Sequence, residues 1–149
     1  MTTLAQSITI RRWLKRSTIN YTDYYLRLYI AFNAWYQNYS RTTNDRQALQ
    51  FLKAKRPFWQ SYCSGTSLFA LGIPMMHVVE LTQREPYFAA SSHWKGYVEN
   101  IYDWPGILEF WYQVRCYIVH GSIVPEAYVQ LAYQSLYVFM QEVVFTQTE

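Results

Sequence analysis

The sequence predicts an all-α fold, an antiparallel helical bundle with short additional helices. Apolar residues recur at 3- and 4-residue spacing in at least four segments, the signature of amphipathic helices. Only 5 Gly and 5 Pro punctuate 149 residues, too few for a many-turned β-fold. Aromatics make up 19% of the chain, with 15 Tyr and 6 Trp, so it is far too apolar to stay disordered. The length suits one domain, 1–149, with a sizeable core.

The first 22 residues hold no acid and four bases, Arg11, Arg12, Lys15 and Arg16. One reading is a short amphipathic helix with Leu4, Ile8 and Trp13 inward and the bases outward. The other is a positive stripe that helps hold an RNA backbone. From Asn20 to Tyr39 the helical signal is strongest. Asn20 can cap, Asp23 sits in the first turn, and Tyr25, Leu28, Tyr29, Phe32, Trp35, Tyr36 and Tyr39 form one stripe. Asn33 is the only strongly polar side chain between Leu28 and Tyr36. It either ties two helices together as a satisfied core amide, or stands behind a functional side chain and fixes its orientation.

Asn44 followed by Gln47 resembles a capping box and opens a helix to about Arg56, with Pro57 as its stop and Ser64-Gly65 as a turn. Lys53, Lys55 and Arg56 form a second basic cluster that closes that helix, and dipole compensation explains them almost as well as a phosphate-holding role. Between Thr66 and Phe88, Gly72-Ile73-Pro74 and Glu85-Pro86 read as breaks around a short helix carrying Met75, Met76, Val79 and Leu81, with His77 partly buried. After a loop at 89–92, Trp94, Tyr97, Val98, Ile101 and Tyr102 resume helical spacing. Asp103 with Pro105 starts a strongly apolar helix. Its face Trp104, Ile107, Leu108, Trp111, Val114, Ile118 and Val119 is large enough, flanked by Tyr112, to expect burial against a second copy. Pro125 opens a last helix with Tyr128, Leu131, Ala132, Ser135, Phe139 and Val143 inward.

Arg115 falls near the middle of the apolar face of the helix that Asp103 starts. A guanidinium there is costly unless it is paired or looks into a cleft. His120 follows five residues later and Gly121 directly after, which places the imidazole in the last turn or at the C-cap. Near neutral pH imidazole moves a proton more readily than any other side chain, and a helix C-terminus favours its cationic form. On an ideal helix, residues five apart diverge by about 140°.

Other chemistries lack their residues. His77 and His93 show no metal-ligand spacing, and Cys63 and Cys116 stand far apart, as reduced thiols of a cytoplasmic protein would. Neither a Gly-rich phosphate loop nor a Gly-x-Ser-x-Gly elbow is present. No metal or cofactor is expected. The acids are scattered and form no obvious pair. No apolar run approaches the roughly 18–20 residues of a membrane span, so no membrane partner is expected. A net charge of +3 permits nucleic-acid binding.

The motif Arg115-x4-His120, extended as Val-Arg-Cys-x-x-x-His-Gly, resembles the signature of the HEPN superfamily of α-helical domains. The run Tyr29-Ile30-Ala31-Phe32-Asn33-Ala34-Trp35-Tyr36 resembles an early helix of the same superfamily. The chain departs from common family patterns at Cys116, Tyr117 and Ser122. The resemblance implies a metal-independent endoribonuclease in which Arg115 and His120 are catalytic. It also implies a homodimer, or pairing with another HEPN chain, whose two motifs line one cleft and leave 2′,3′-cyclic phosphate and 5′-hydroxyl ends. A toxin or anti-phage setting, with an antitoxin or defence-system partner, goes with it. Two other readings stay open. One is a non-catalytic module binding RNA, a nucleotide or a protein through the same cleft. The other is an interaction subunit in which Arg115 salt-bridges across a dimer interface.

Overall fold

A computed structural model of the protein describes residues 3–17, 19–55 and 67–144. Its elements are α1 (Leu4–Ser17), α2 (Tyr21–Ser40), α3 (Asp45–Lys53), α4 (Ser67–Arg84), α5 (Trp104–Val119), α6 (Glu126–Phe139) and a closing π-helical turn, Met140–Val144. Among the described residues there is no strand, and the architecture is an all-α helical bundle. The expected stop at Pro57, the turn at Ser64-Gly65, Arg56 and Cys63 lie outside the described residues. No described helix is long and apolar enough to cross a membrane.

α2 is the spine. Asn20 caps it by accepting from the Thr22 N–H, and Tyr25, Tyr29, Phe32 and Tyr36 form its buried stripe. Ring contacts set the sense of packing. Tyr21 and Tyr24 meet Tyr133, while Phe32 and Trp35 meet Phe139, so α2 and α6 run parallel. Trp104 meets Phe139 and Phe110 meets Tyr128, so α5 runs antiparallel to α6. At the centre Phe32 is fully buried, edge-on to Trp111 at 5.5 Å. That burial contributes roughly 1.5–3 kcal/mol.

Buried aromatics with polar tips need hydrogen-bond partners. Trp111 Nε1 donates to Ser135 Oγ at 2.9 Å, Trp104 Nε1 to the Leu52 carbonyl at 2.7 Å, and the Tyr25 hydroxyl to the Trp111 carbonyl. These bonds stitch α5 to α6, α3 and α2. They also revise the expected dimer face, because Trp104 and Trp111 are buried within the chain by its own helices. Val119, by contrast, is exposed.

Four local expectations change. α3 starts as its cap predicts, with Asn44 Oδ1 accepting from the Gln47 N–H, but it ends at Lys53 rather than near Arg56. Gln47 does not reach back to Asn44; Thr42 Oγ1 takes the Asn44 N–H instead. α4 runs unbroken through Gly72-Ile73-Pro74, with Pro74 inside the helix and Met75 and Val78 buried. Burial of that face outweighs the hydrogen bond proline cannot donate. His77, on α4, is exposed rather than partly buried.

Residues 94–102 are irregular rather than helical. Gly96 adopts φ +92°, and a Cβ there would lie 2.6 Å from the Phe88 carbonyl oxygen, so the chain turns where a helix would continue. Side chains satisfy the freed backbone groups. Thr82 Oγ1 accepts from the Val98 N–H, Gln83 Nε2 donates to the Val98 and Glu99 carbonyls, and Asp103 accepts from the Glu99 N–H.

α1 departs furthest from expectation. Leu4, Ile8 and Trp13 are 78%, 52% and 61% exposed rather than inward. At 100° per residue Trp13 lies well over a quarter-turn from Leu4 and Ile8, so the three never shared a face. Arg11, Arg12 and Lys15 are exposed as well.

Candidate functional site

Arg115 projects from α5 toward α2 and α3 with its side chain 29% exposed. One amino group, Nη1, lies 3.3 Å from Asp45 Oδ2 and 4.0 Å from Cys116 Sγ, and the guanidinium stands 5.5 Å from the Tyr29 ring centroid. Burial works against its charge. The Cys116 sulfur, the Tyr29 hydroxyl and the Asp45 carboxylate outweigh that, leaving its pKa above the ordinary value.

Asp45, in the first turn of α3, organises the cluster. Its Oδ1 accepts from Tyr36 Oη at 2.9 Å, Asn33 Nδ2 at 3.2 Å and Gln37 Nε2 at 3.4 Å. Its Oδ2 faces Arg115. Asn33 Nδ2 also donates to Tyr36 Oη at 2.8 Å. Burial, opposed by the hydrogen bond with Tyr29 and reinforced by Asp45, holds the Tyr36 phenol well above its ordinary value. The phenol therefore stays protonated and donates to the carboxylate. Asn33 ties α2 to α3 through Asp45, which also faces Arg115, but it is half-buried rather than a core amide.

Beside this cluster an open cavity of about 510 Å³ lies between α2 and α5. Arg115, Asn33 and Gln37 supply its polar wall, and Leu26, Tyr29, Ile30, Ala34 and Val119 the rest.

His120 is the C-cap of α5, with an exposed side chain. Gly121 at φ +86° ends the helix. Its N–H reaches the Ile118 carbonyl at 3.0 Å and the Ser122 N–H reaches Tyr117 at 2.9 Å, a paired closure that needs a left-handed residue. His120 is not among the residues lining the cavity with Arg115, as the 140° divergence implies. Arg11, Arg12 and Lys15 are exposed on α1, and no described hydrogen bond or ion pair joins them to the Arg115 cluster. The Arg16 side chain lies outside the described ones.

A second ionic cluster sits on another face of α5. Glu109 is fully buried, its Oε1 paired with Arg46 and, at 2.7 Å, with Lys53 Nζ. Gln113 Nε2 lies 3.4 Å from Oε2, and Arg46 stacks 5.0 Å from the Tyr112 ring centroid. Burial pushes the Glu109 carboxyl up, but Arg46 and Lys53 win and hold it below its usual value.

Sequence reading passed over both acids. Asp45 carries no reading there, and Lys53 is read only with the basic residues that close its helix. Glu109 carried a usable signal, because an acid flanked by Leu108 and Phe110 in the most apolar helix must be paired. Among the described residues no three His, Cys, Asp or Glu side chains group closely enough to hold a metal ion. The described residues thus define an all-α bundle with an arginine-lined cleft. Comparison with family models, curated proteins and solved structures finds no match to this chain.

Proposed function

We propose that this chain is a metal-independent endoribonuclease of the HEPN type, acting as a toxin or anti-phage effector. In this reading two copies, or this chain and another HEPN chain, line one cleft. The observation that carries it is Arg115: a charged, part-exposed guanidinium at an open cavity, on the same helix that ends in an exposed His120.

Cleavage begins when a base removes the ribose 2′-OH proton and the 2′ oxygen attacks phosphorus. The P–O5′ bond then breaks and an acid protonates the leaving oxygen, giving 2′,3′-cyclic phosphate and 5′-OH ends. Arg115 has N–H groups beyond the one facing Asp45, and these can grip the non-bridging oxygens. One imidazole cannot readily act as both base and acid in one step, so His120 of each copy takes one role. Exposed Ile30 and Val119 on the cavity wall, with Ile123 beyond the end of α5, offer apolar surface for the second copy.

A binding-only module is the second reading. It is favoured by the salt bridge that already engages Arg115, and by the absence among the described residues of any side chain that orients the His120 imidazole. Purified protein incubated in EDTA with structured and single-stranded RNAs separates the two. The nuclease reading expects cyclic-phosphate products. His120→Ala should abolish them while leaving the thermal midpoint within a few degrees. Full activity in His120→Ala would end the catalytic assignment. RNA binding without cleavage by the parent protein would select the binding module.

A further inference from the structure

From the wiring around Asp45 we infer that the cavity between α2 and α5 selects an unpaired nucleobase bearing an exocyclic amino group, as adenine, guanine and cytosine do and uracil does not. The inference rests on the RNA reading above and adds a specificity to the same cleft.

A carboxylate can only accept hydrogen bonds, so every amide that touches Asp45 must present its NH2 group to it. Asn33 and Gln37 both do so, which fixes their orientation without ambiguity. Each amide oxygen is consequently the free end. Among the described residues neither Asn33 Oδ1 nor Gln37 Oε1 accepts a hydrogen bond, and both residues line the cavity. Arg115 is fixed by the same carboxylate through Nη1, so its remaining N–H groups are also available.

Asn33, Gln37 and Arg115 line the cavity together, so the spare acceptors of α2 and the spare donors of α5 belong to residues of its wall. The other walls are aliphatic, with the Tyr29 ring beside the guanidinium. At about 510 Å³ the space falls in the volume range of small-molecule pockets. An exocyclic amino group supplies the donors that two amide oxygens require. Uracil offers one N–H between two carbonyl oxygens, which would set acceptors against acceptors. A site built around unpaired acceptors discriminates strongly, because the wrong base leaves them desolvated and unmatched. Asp45 is thus a positioning residue, acting through Asn33, Gln37 and Arg115.

The test measures anisotropy binding of 2′-O-methyl oligonucleotides, which cannot be cleaved, so the readout is independent of catalysis. Oligo-A and oligo-C are expected to bind the parent protein at least about tenfold more tightly than oligo-U. A strand containing guanosine should outbind the same strand with inosine, which lacks only the amino group. Gln37→Met keeps the volume and removes the oxygen; it should shrink the preference several-fold, in part by tightening oligo-U once the opposed acceptor is gone. Arg115→Ala should weaken all strands alike. Equal binding of A, C and U strands overturns the base preference and leaves the RNA reading standing. Preference that survives intact in a folded Gln37→Met overturns the assignment to this wall. No binding of any strand, with no cleavage in the parallel EDTA assay, removes both readings.

Discussion

Two ionic clusters on α5 use the same chemistry to opposite ends. Around Glu109 the account is closed: a fully buried carboxylate meets two cations and an amide, and one of those cations also stacks on a ring. Around Arg115 it is open. The guanidinium and its carboxylate partner are 29% and 21% exposed, and donors and acceptors are left over beside a cavity. A saturated buried cluster fixes helix positions. An unsaturated one at a cleft retains groups that a ligand can use.

The largest effect should come from breaking the closed cluster. Glu109→Ala strands Arg46 and Lys53 over a desolvated site, a loss of about 3–5 kcal/mol. Arg46 is 28% exposed and can reach water, so the lower end applies. In a chain of this length that lowers the thermal midpoint by roughly 6–12 °C. Calorimetry giving a shift under 2 °C would erase the distinction between the clusters.

Acid titration should come next. The Glu109 carboxyl is depressed in the folded protein, burial being outweighed by Arg46 and Lys53. Its stabilisation is therefore full above the unfolded carboxyl value, about 4.3, and is lost as pH falls through the lower folded value. Stability of the parent protein should drop steeply below about pH 4.3, and Glu109→Gln should flatten that limb. Superimposable acid limbs would mean the cluster contributes nothing at low pH.

A smaller stability change is expected at the open cluster. Arg115→Ala leaves Asp45 with three donors, so the cost is about 1 kcal/mol and 2–4 °C, while RNA cleavage is lost. Arg115→Lys should restore little activity, because an ammonium cannot reproduce the two-pronged grip. A collapse of folding in Arg115→Ala would instead place this residue with the structural cluster.

Smallest of all is the effect of α1 on folding. Replacing Arg11, Arg12 and Lys15 with Gln should leave the midpoint unchanged. If these bases contact RNA, the salt slope of binding should shrink by about 2, following the counterion release of three phosphate contacts. An unchanged slope would mark them as ordinary solvated charges.

The sequence made helices legible where period and caps agree, as at Asn20, Asn44 and Asp103, and where Pro125 opens the last helix. It misled at 94–102, where apolar spacing was helical but Gly96 adopts a positive φ that periodicity does not register. It misled again at Pro74, where burial on one face carries the helix through. At the site, Arg115 stood out because a cation on an apolar stripe demands a reason. Asp45 did not, since its importance comes from spatial convergence of α2, α3 and α5, and no local pattern encodes that. α1 failed for a simpler reason: at 100° per residue Leu4, Ile8 and Trp13 do not share one face.

The tie from Tyr25 to Trp111 spans 86 residues of chain, and the rings that cover Phe32 reach to Phe139. During synthesis α2 therefore emerges long before the helices that bury it. At roughly 5–20 residues per second, about a hundred residues of lag leave its aromatic stripe uncovered for on the order of 5–20 s. The same stripe that organises the finished bundle is, for that interval, an adhesive surface on the nascent chain.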